Sequence, residues 1–250
     1  MAEHDQLTAL ATVGELAATA VHEIKGPLAI ADGYIQLLAA QVHDPKQQEI
    51  CARIRGQLER IDQLVQGLLF LARPQRPHIQ TCRPEEVIRN TVNLIGATAA
   101  AHGVEIRIEG LQRAPQVMAD PAQLTQLLLN LLLNSLEAMP DGGRVKVRLH
   151  ARHEHLIITV SDTGAGIPFH IRANLFRPFV TSKERGTGLG LAICRHIVER
   201  HGGSIRIRTG SSGTTVQVCL PINGPSRTSV EELPVLCAEA ALTPNGRGTG

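Results

Sequence analysis

The sequence predicts an α+β chain: a helical hairpin that forms a dimeric four-helix bundle, followed by an α/β sandwich. Three observations lead there. They are an N-terminal apolar seam with heptad spacing, an alternation of strand and helix patterns after residue 83, and two glycine-rich turns, the second opening a helix. At 250 residues and 43% hydrophobic, the chain can bury the cores of one or two domains. The formal charge is +2 and the two signs are interspersed, so no nucleic-acid footprint stands out. Five cysteines, at 51, 82, 194, 219 and 237, are odd in number and form no CxxC pair, which argues against a disulfide framework or zinc knuckle and suits a reducing cytosol. No run of about 18 apolar residues and no basic-then-apolar leader occurs, so the expectation is a cytoplasmic chain with no membrane span.

The first domain is expected over residues 1–73. Leu7, Leu10, Gly14, Ala17, Val21, Ile24, Leu28, Ala31, Ile35, Leu38 and Val42 recur at alternating steps of three and four, an unbroken heptad seam over about residues 5–42. With Leu7 at position a, His22 falls at position b and faces solvent, beside Glu23. Pro27 removes one backbone hydrogen bond a turn later and is expected to bend the helix. A turn at His43-Asp44-Pro45 leads to a second helix over about 45–71, with Ile50, Ile54, Ile61, Leu64, Leu68 and Leu71 at helical spacing. Leu58, Val65 and Leu69 widen that stripe beyond what one partner helix covers, so a homodimer is expected.

Residues 74–82, rich in proline and without periodicity, read as an extended linker, and 83–222 as the second domain. A helix over about 84–101 and a strand over about 104–109 are followed by Asp120-Pro121-Ala122-Gln123, a cap, a proline at the first helical position and a glutamine at the third. The helix so begun, about 121–139, is leucine-rich on most sides yet carries Asn130 and Asn134 one turn apart on one face. Strands over about 144–151 and 156–160 flank His153-Glu154-His155. With His150, these histidines fit a solvated hairpin tip better than a metal site. A final helix to about Arg200 and strands over about 204–208 and 214–220 complete a largely antiparallel sheet with helices on one face. The tail, 223–250, is rich in Gly, Pro, Ser and Thr around one apolar patch, Val230 to Leu242, suited to folding on a partner.

Chemistry concentrates in the glycine groups. Asp162 is followed by Gly164 and Gly166, where backbone can approach a flat ligand while the carboxylate accepts from an exocyclic amine, as adenine offers. Gly186-Thr187-Gly188-Leu189-Gly190 opens a helix, so its N–H groups and the helix N-terminus suit phosphate oxygens, with Lys183 reaching toward them. The spacing is G-x-G-x-G rather than the G-x-G-x-x-G of a dinucleotide fold. The roughly twenty residues between the groups read as a nucleotide lid, pinned by Phe176 and Phe179.

Taken in order, these motifs resemble the catalytic portion of a bacterial two-component sensor histidine kinase over about residues 5–221. His22-Glu23 with Pro27 resembles that family's H box, Asn130 to Asn134 its N box, Asp162 to Gly166 its first glycine box, Phe176 to Phe179 its F box, and Gly186 to Gly190 its second glycine box. The resemblance implies a histidine-phosphotransfer hairpin joined to an ATP-binding domain of the gyrase, chaperone and histidine-kinase type. It makes His22 the nucleophile toward ATP, Glu23 its base, Asn134 the Mg2+ ligand and a response-regulator receiver domain the partner, with weak phosphatase activity. A sensory input is expected from an upstream domain or another protein. Rival readings are an ATPase of the chaperone or topoisomerase type and a non-catalytic phosphotransfer scaffold. Where related ATPases carry a glutamate to activate water, this chain has Asn130, which cannot take the proton. Where many family members have Asn or Thr four residues after the histidine, it has Gly26.

Overall fold

The computed structural model describes residues 24–72, 77–110, 114–183 and 186–225. His22, Glu23, the seam before Ile24 and the patch Val230 to Leu242 lie outside the described residues, as do the side chains of Leu68, Leu69 and Leu71. The chain forms two compact units, Met1–Arg76 with Pro168–Ile193, and Pro77–Ile167 with Cys194–Gly250.

In the first unit, residues 24–41 form helix α1 and Pro45–Ala72 form α2. The turn between them is held locally: Asp44 Oδ1 accepts the Lys46 N–H at 3.1 Å, and the Gln48 side chain donates to the Val42 carbonyl at 3.0 Å. Leu28, Ala31, Ile35 and Val42 are half-buried along the expected seam, and Cys51 and Val65 are buried on α2. A second apolar surface stays open, with Tyr34, Leu37, Ile54 and Ile61 at 69%, 63%, 40% and 43% exposure.

The second unit is built on a five-stranded sheet in the order β2-β4-β5-β7-β6. Its strands are β2 (Val104–Glu109), β4 (Gly143–Arg152), β5 (His155–Asp162), β6 (Ser204–Gly210) and β7 (Gly213–Pro221). Only β2 and β4 pair in parallel, and the chain between them supplies the crossover that parallel pairing requires. That crossover contains α4 (Pro121–Glu137), whose Leu124, Leu127, Leu128 and Leu132 are at most 1% exposed. They share the core with Val145, Val147, Leu156, Ile158 and Val218, each also at most 1% exposed, and burial of such a side chain is worth about 1.5–3 kcal/mol. Helix α3 (Pro84–Ala101) packs on α4 and β2. Helix α5 (Gly190–Arg200) sends Cys194 to the Leu127 carbonyl of α4 at 3.8 Å. All three helices therefore lie on one face of the sheet.

Two short strands, β1 (Gln80–Cys82) and β3 (Val117–Ala119), pair antiparallel as a separate two-stranded sheet. The expected linker 74–82 is thus not free at its end, because residues 80–82 are paired. By its contacts the segment 168–193 groups with the hairpin unit. The histidines 150, 153 and 155 belong to a hairpin whose tip is His153-Glu154, with His153 at φ 51, and among the described residues they join no metal-binding cluster. No described helix is long and apolar enough to cross a membrane.

Candidate active site

Helix α4 carries the paired asparagines, half-buried and one turn apart as expected. The Cys194 thiol nearby is fully buried, which pushes it up to about 12, while the Asn130 amide acts in the opposite direction. The Asn130 Nδ2 atom is shut off from solvent and has no partner among the described residues. An orphaned donor in that position is suited to a ligand acceptor. Among the described residues the Asn134 side chain makes no hydrogen bond, so its amide oxygen is available to a hard cation.

Asp162, the last residue of β5, is held from several sides. Its Oδ1 accepts N–H groups from Gly164 and Thr214, both at 3.0 Å. Its Oδ2 has only the Ser135 hydroxyl at 3.4 Å, and that hydroxyl also reaches the Leu131 carbonyl at 3.0 Å. One oxygen fixes the carboxylate and the other stays open as an acceptor. Gly166 has φ 74 and lies against the Gly210 carbonyl, so a side chain there would meet backbone on both counts. Thr209 accepts the Ile167 N–H at 2.8 Å and bonds Thr214 at 3.1 Å. Ser135, Thr209 and Thr214 were not legible as site residues. Their signal is non-local, arising when the β6–β7 turn and α4 meet the end of β5.

The glycine run belongs to the first unit. Gly188, at φ 69, accepts the Phe179 N–H at 3.0 Å, and an added Cβ there would lie 2.5 Å from the Phe179 carbonyl carbon. Thr181 Oγ1 accepts the Lys183 N–H at 3.1 Å. Gly190 begins α5, whose first N–H groups have no intrahelical acceptor and so suit an anion. The lid begins with a 3-10 turn, Phe169–Asn174, where the Arg172 guanidinium lies 5.8 Å from the Phe169 ring centroid. The expectation that Phe179 pins the lid needs correction: Phe179 is 61% exposed at φ 66 and contributes through its backbone, whereas Leu175, 9% exposed, is the buried side chain. Within this unit Leu189, 1% exposed, packs against α2 at Gly67, where an added Cβ would stand 2.6 Å from Leu189 Cδ1. Arg60 of α2 donates to the Gly186 carbonyl at 3.4 Å.

In the second unit a carboxylate with one open oxygen stands with two amides one turn apart on α4, and in the first a glycine run opens a helix, features suited to a nucleotide. Comparison with known proteins agrees. Residues 119–224 match the histidine kinase-, DNA gyrase B- and HSP90-like ATPase family, and residues 12–77 match the His kinase A phospho-acceptor domain. Sporulation kinase E of Bacillus subtilis is 35% identical over 215 residues, which are 85% of this chain and 29% of that protein. The signal transduction histidine-protein kinase AtoS of Escherichia coli is 32% identical over 227 residues, 90% of this chain and 37% of that protein. Full-length ShkA in complex with AMPPNP superposes with a TM-score of 0.71 at 26% identity, covering 84% of this chain and 46% of that one. The complex of histidine kinase ThkA with the response regulator TrrA gives 0.66 at 26% identity, covering 90% of this chain and 66% of that one. The chain belongs to the sensor histidine kinase family. It spans well under two thirds of the curated relatives it matches, 29% of one and 43% of another.

What fixes α4 is a buried pair at its N-terminus. Asp120 Oδ1 caps the Ala122 and Gln123 N–H groups at 2.9 and 3.2 Å, and its Oδ2 accepts the His78 N–H at 2.9 Å. The Asp120 N–H in turn donates to Nε2 of His201 at 3.0 Å, while Nδ1 of His201 lies 2.8 Å from the Ile197 carbonyl. These partners require the neutral Nδ1–H tautomer. Burial pushes His201 below its ordinary value, and the Ile197 carbonyl and Asp120 carboxylate only partly oppose it. His150 and His196 are lowered as well, chiefly by burial. A base depressed in the fold binds fewer protons than in the unfolded chain, so this stability is present above the ordinary histidine value and lost as pH falls through it toward the folded value. The urea midpoint is expected to drop between about pH 7.5 and about pH 5.5, and His201→Gln to flatten that drop. An equally steep drop in the variant would rule out His201 as a source.

Proposed function

We propose that this chain is the phosphotransfer and catalytic portion of a two-component sensor kinase. It autophosphorylates on His22 with ATP and passes the phosphoryl group to an aspartate of a response-regulator receiver domain. The observation that carries the reading is the presence in one chain of a phospho-acceptor domain match containing His22 and an ATPase match containing Asn130, Asn134, Asp162 and the glycine run. The receiver partner is supported by the relative ThkA, whose structure holds a response regulator.

In this mechanism ATP supplies the γ-phosphoryl group, and a bound Mg2+ would offset the charge on its phosphates. Asp162 orients the nucleotide by accepting from the adenine amine through its open Oδ2. Asn134 offers its amide oxygen to the metal, and Asn130 donates through Nδ2. Lys183 and the N–H groups from Gly186 through Thr187, Gly188, Leu189 and Gly190 hold the phosphates. One ring nitrogen of His22 attacks the γ-phosphorus as the bond to the ADP oxygen breaks, and Glu23 takes the proton from the other ring nitrogen. General-base help of this kind is typically worth about a hundredfold to ten-thousandfold. The buried free thiols Cys51, Cys82, Cys194 and Cys219 fit a reducing compartment, and we place the catalytic domains in the cytoplasm.

The hairpin only half-buries its seam, with Ile24 and Leu38 at 41% and 48% exposure, and leaves Tyr34, Leu37, Ile54 and Ile61 open as well, the surface a second copy would cover in a four-helix bundle. Ile54→Asp combined with Ile61→Asp is expected to convert a dimer to a monomer by light scattering, and an unchanged dimer mass would remove this surface from the interface. Incubation with γ-labelled ATP and Mg2+ should give an acid-labile label, lost to background in His22→Ala and in Asn134→Ala. Label retained by His22→Ala would place the acceptor elsewhere. Gly26 has open space at its Cβ position, so a side chain can begin there without a clash. Gly26→Asn should speed dephosphorylation of the phosphorylated receiver several-fold, because its amide can orient a water that glycine cannot. Equal rates would sink that account of weak phosphatase activity.

A further inference from the structure

The two oxygens of Asp162 are held unequally. Oδ1 takes two backbone N–H groups, from Gly164 just beyond β5 and from Thr214 in β7, both at 3.0 Å. Oδ2 has one donor within reach, the Ser135 hydroxyl of α4, at 3.4 Å. That hydroxyl carries a single proton and faces a second acceptor, the Leu131 carbonyl, at 3.0 Å. A serine inside a helix often turns back to the carbonyl four residues earlier, and the Leu131 contact has that form. Two other helix hydroxyls of this unit show the contact undisturbed: Thr91 reaches the Val87 carbonyl at 2.7 Å and Thr125 the Pro121 carbonyl at 2.8 Å, neither with a second acceptor among the described residues. The Ser135 contact is the longest of the three, and of the three hydroxyls it is the one beside a carboxylate. Both of its distances exceed the usual O–H···O length, as fits one proton divided between two acceptors.

Which acceptor gains more from that proton follows from what each already has. Ser135 lies in the interior of α4, so the Leu131 carbonyl takes the Ser135 N–H in the helix ladder and is satisfied without the hydroxyl. Asp162 Oδ2 has no other donor among the described residues, and a hydrogen bond to a carboxylate is about twice as strong as one between neutral groups. Oδ2 therefore gains more. A carboxylate turns about its Cβ–Cγ bond in a broad well and its two oxygens move together, so a bond on each holds its plane more firmly than two on one. The turn after β5, strand β7 and helix α4 then fix Asp162 jointly. Oδ2 keeps a further lone pair, held in one direction, for a donor from outside the protein. At 5% exposure Ser135 acts on such a donor through Asp162 and not by meeting it. We propose that Ser135 is a positioning residue for base recognition, whose hydroxyl fixes the plane of the Asp162 carboxylate and so sets the preference for a base with an exocyclic amine. The role rests on the reading of Asp162 as the acceptor for that amine.

Equilibrium titration of the full chain with ADP and with purine riboside diphosphate, which lacks the amine, reads this preference without any phosphoryl transfer. The ratio of the two dissociation constants is the quantity compared, because a general loosening of the domain weakens both nucleotides alike and leaves the ratio unchanged. Ser135→Ala should cut the wild-type preference for ADP by about fivefold, with affinity for the amine-free nucleotide changed by less than about twofold. Ser135→Thr keeps the hydroxyl and should keep the preference. A ratio in Ser135→Ala equal to that of the wild type would overturn the role of Ser135 and leave Asp162 as the base acceptor. A preference lost equally in Ser135→Thr would also overturn it, tracing the effect to packing at that position. A wild type that binds both nucleotides equally well would overturn the reading of Asp162 and this inference together.

Discussion

The second unit depends on one buried junction, Asp120 with His201. The carboxylate of Asp120 takes backbone donors from the start of α4 and from His78, while its own N–H is taken by a histidine at the end of α5. Three chain segments distant in sequence are thereby referred to one residue. The axial position of α4, and with it the height of Asn130 and Asn134, follows from where Asp120 sits. Removing either partner would leave a buried polar group unpaired, which costs more than the hydrogen bond contributes. An apolar replacement of the pair would keep the packing and lose the register.

Much of this architecture was legible because local rules agree with the final packing. Helix α3 and strand β2 fall where proline position and alternation put them. Asp120 caps α4 as its sequence context indicates. The three-residue strands β1 and β3 were not legible, since so short a segment carries no periodic signal and exists only through its partner. The same holds for Ser135, Thr209 and Thr214 around Asp162, and for the burial of His201. In the lid, hydrophobicity pointed to Phe179, but its positive φ shows the backbone is what that position supplies.

The first unit joins the glycine run to the hairpin by close backbone approach. Gly67 is the residue of α2 on which Leu189 rests, and its missing side chain is what lets a loop of phosphate-binding type come so near a phospho-acceptor hairpin. A larger residue at 67 would push away the turn that positions Gly188 and Gly190. Helix sequence and loop geometry are therefore not independent variables in this chain.

The sheet order has a kinetic meaning as well. Within its five strands, β4–β5 and β6–β7 close as hairpins, whereas β2–β4 and β5–β7 close over long intervening segments. The first of those loops contains α4 with its asparagines, and the second contains the lid, the glycine run and α5. Closing distant strands costs chain entropy before contacts repay it. Folding therefore completes the sheet and brings in α4 and the glycine run in the same two events, so a chain that has missed either closure can be rich in helix and hairpin and still lack the completed sheet.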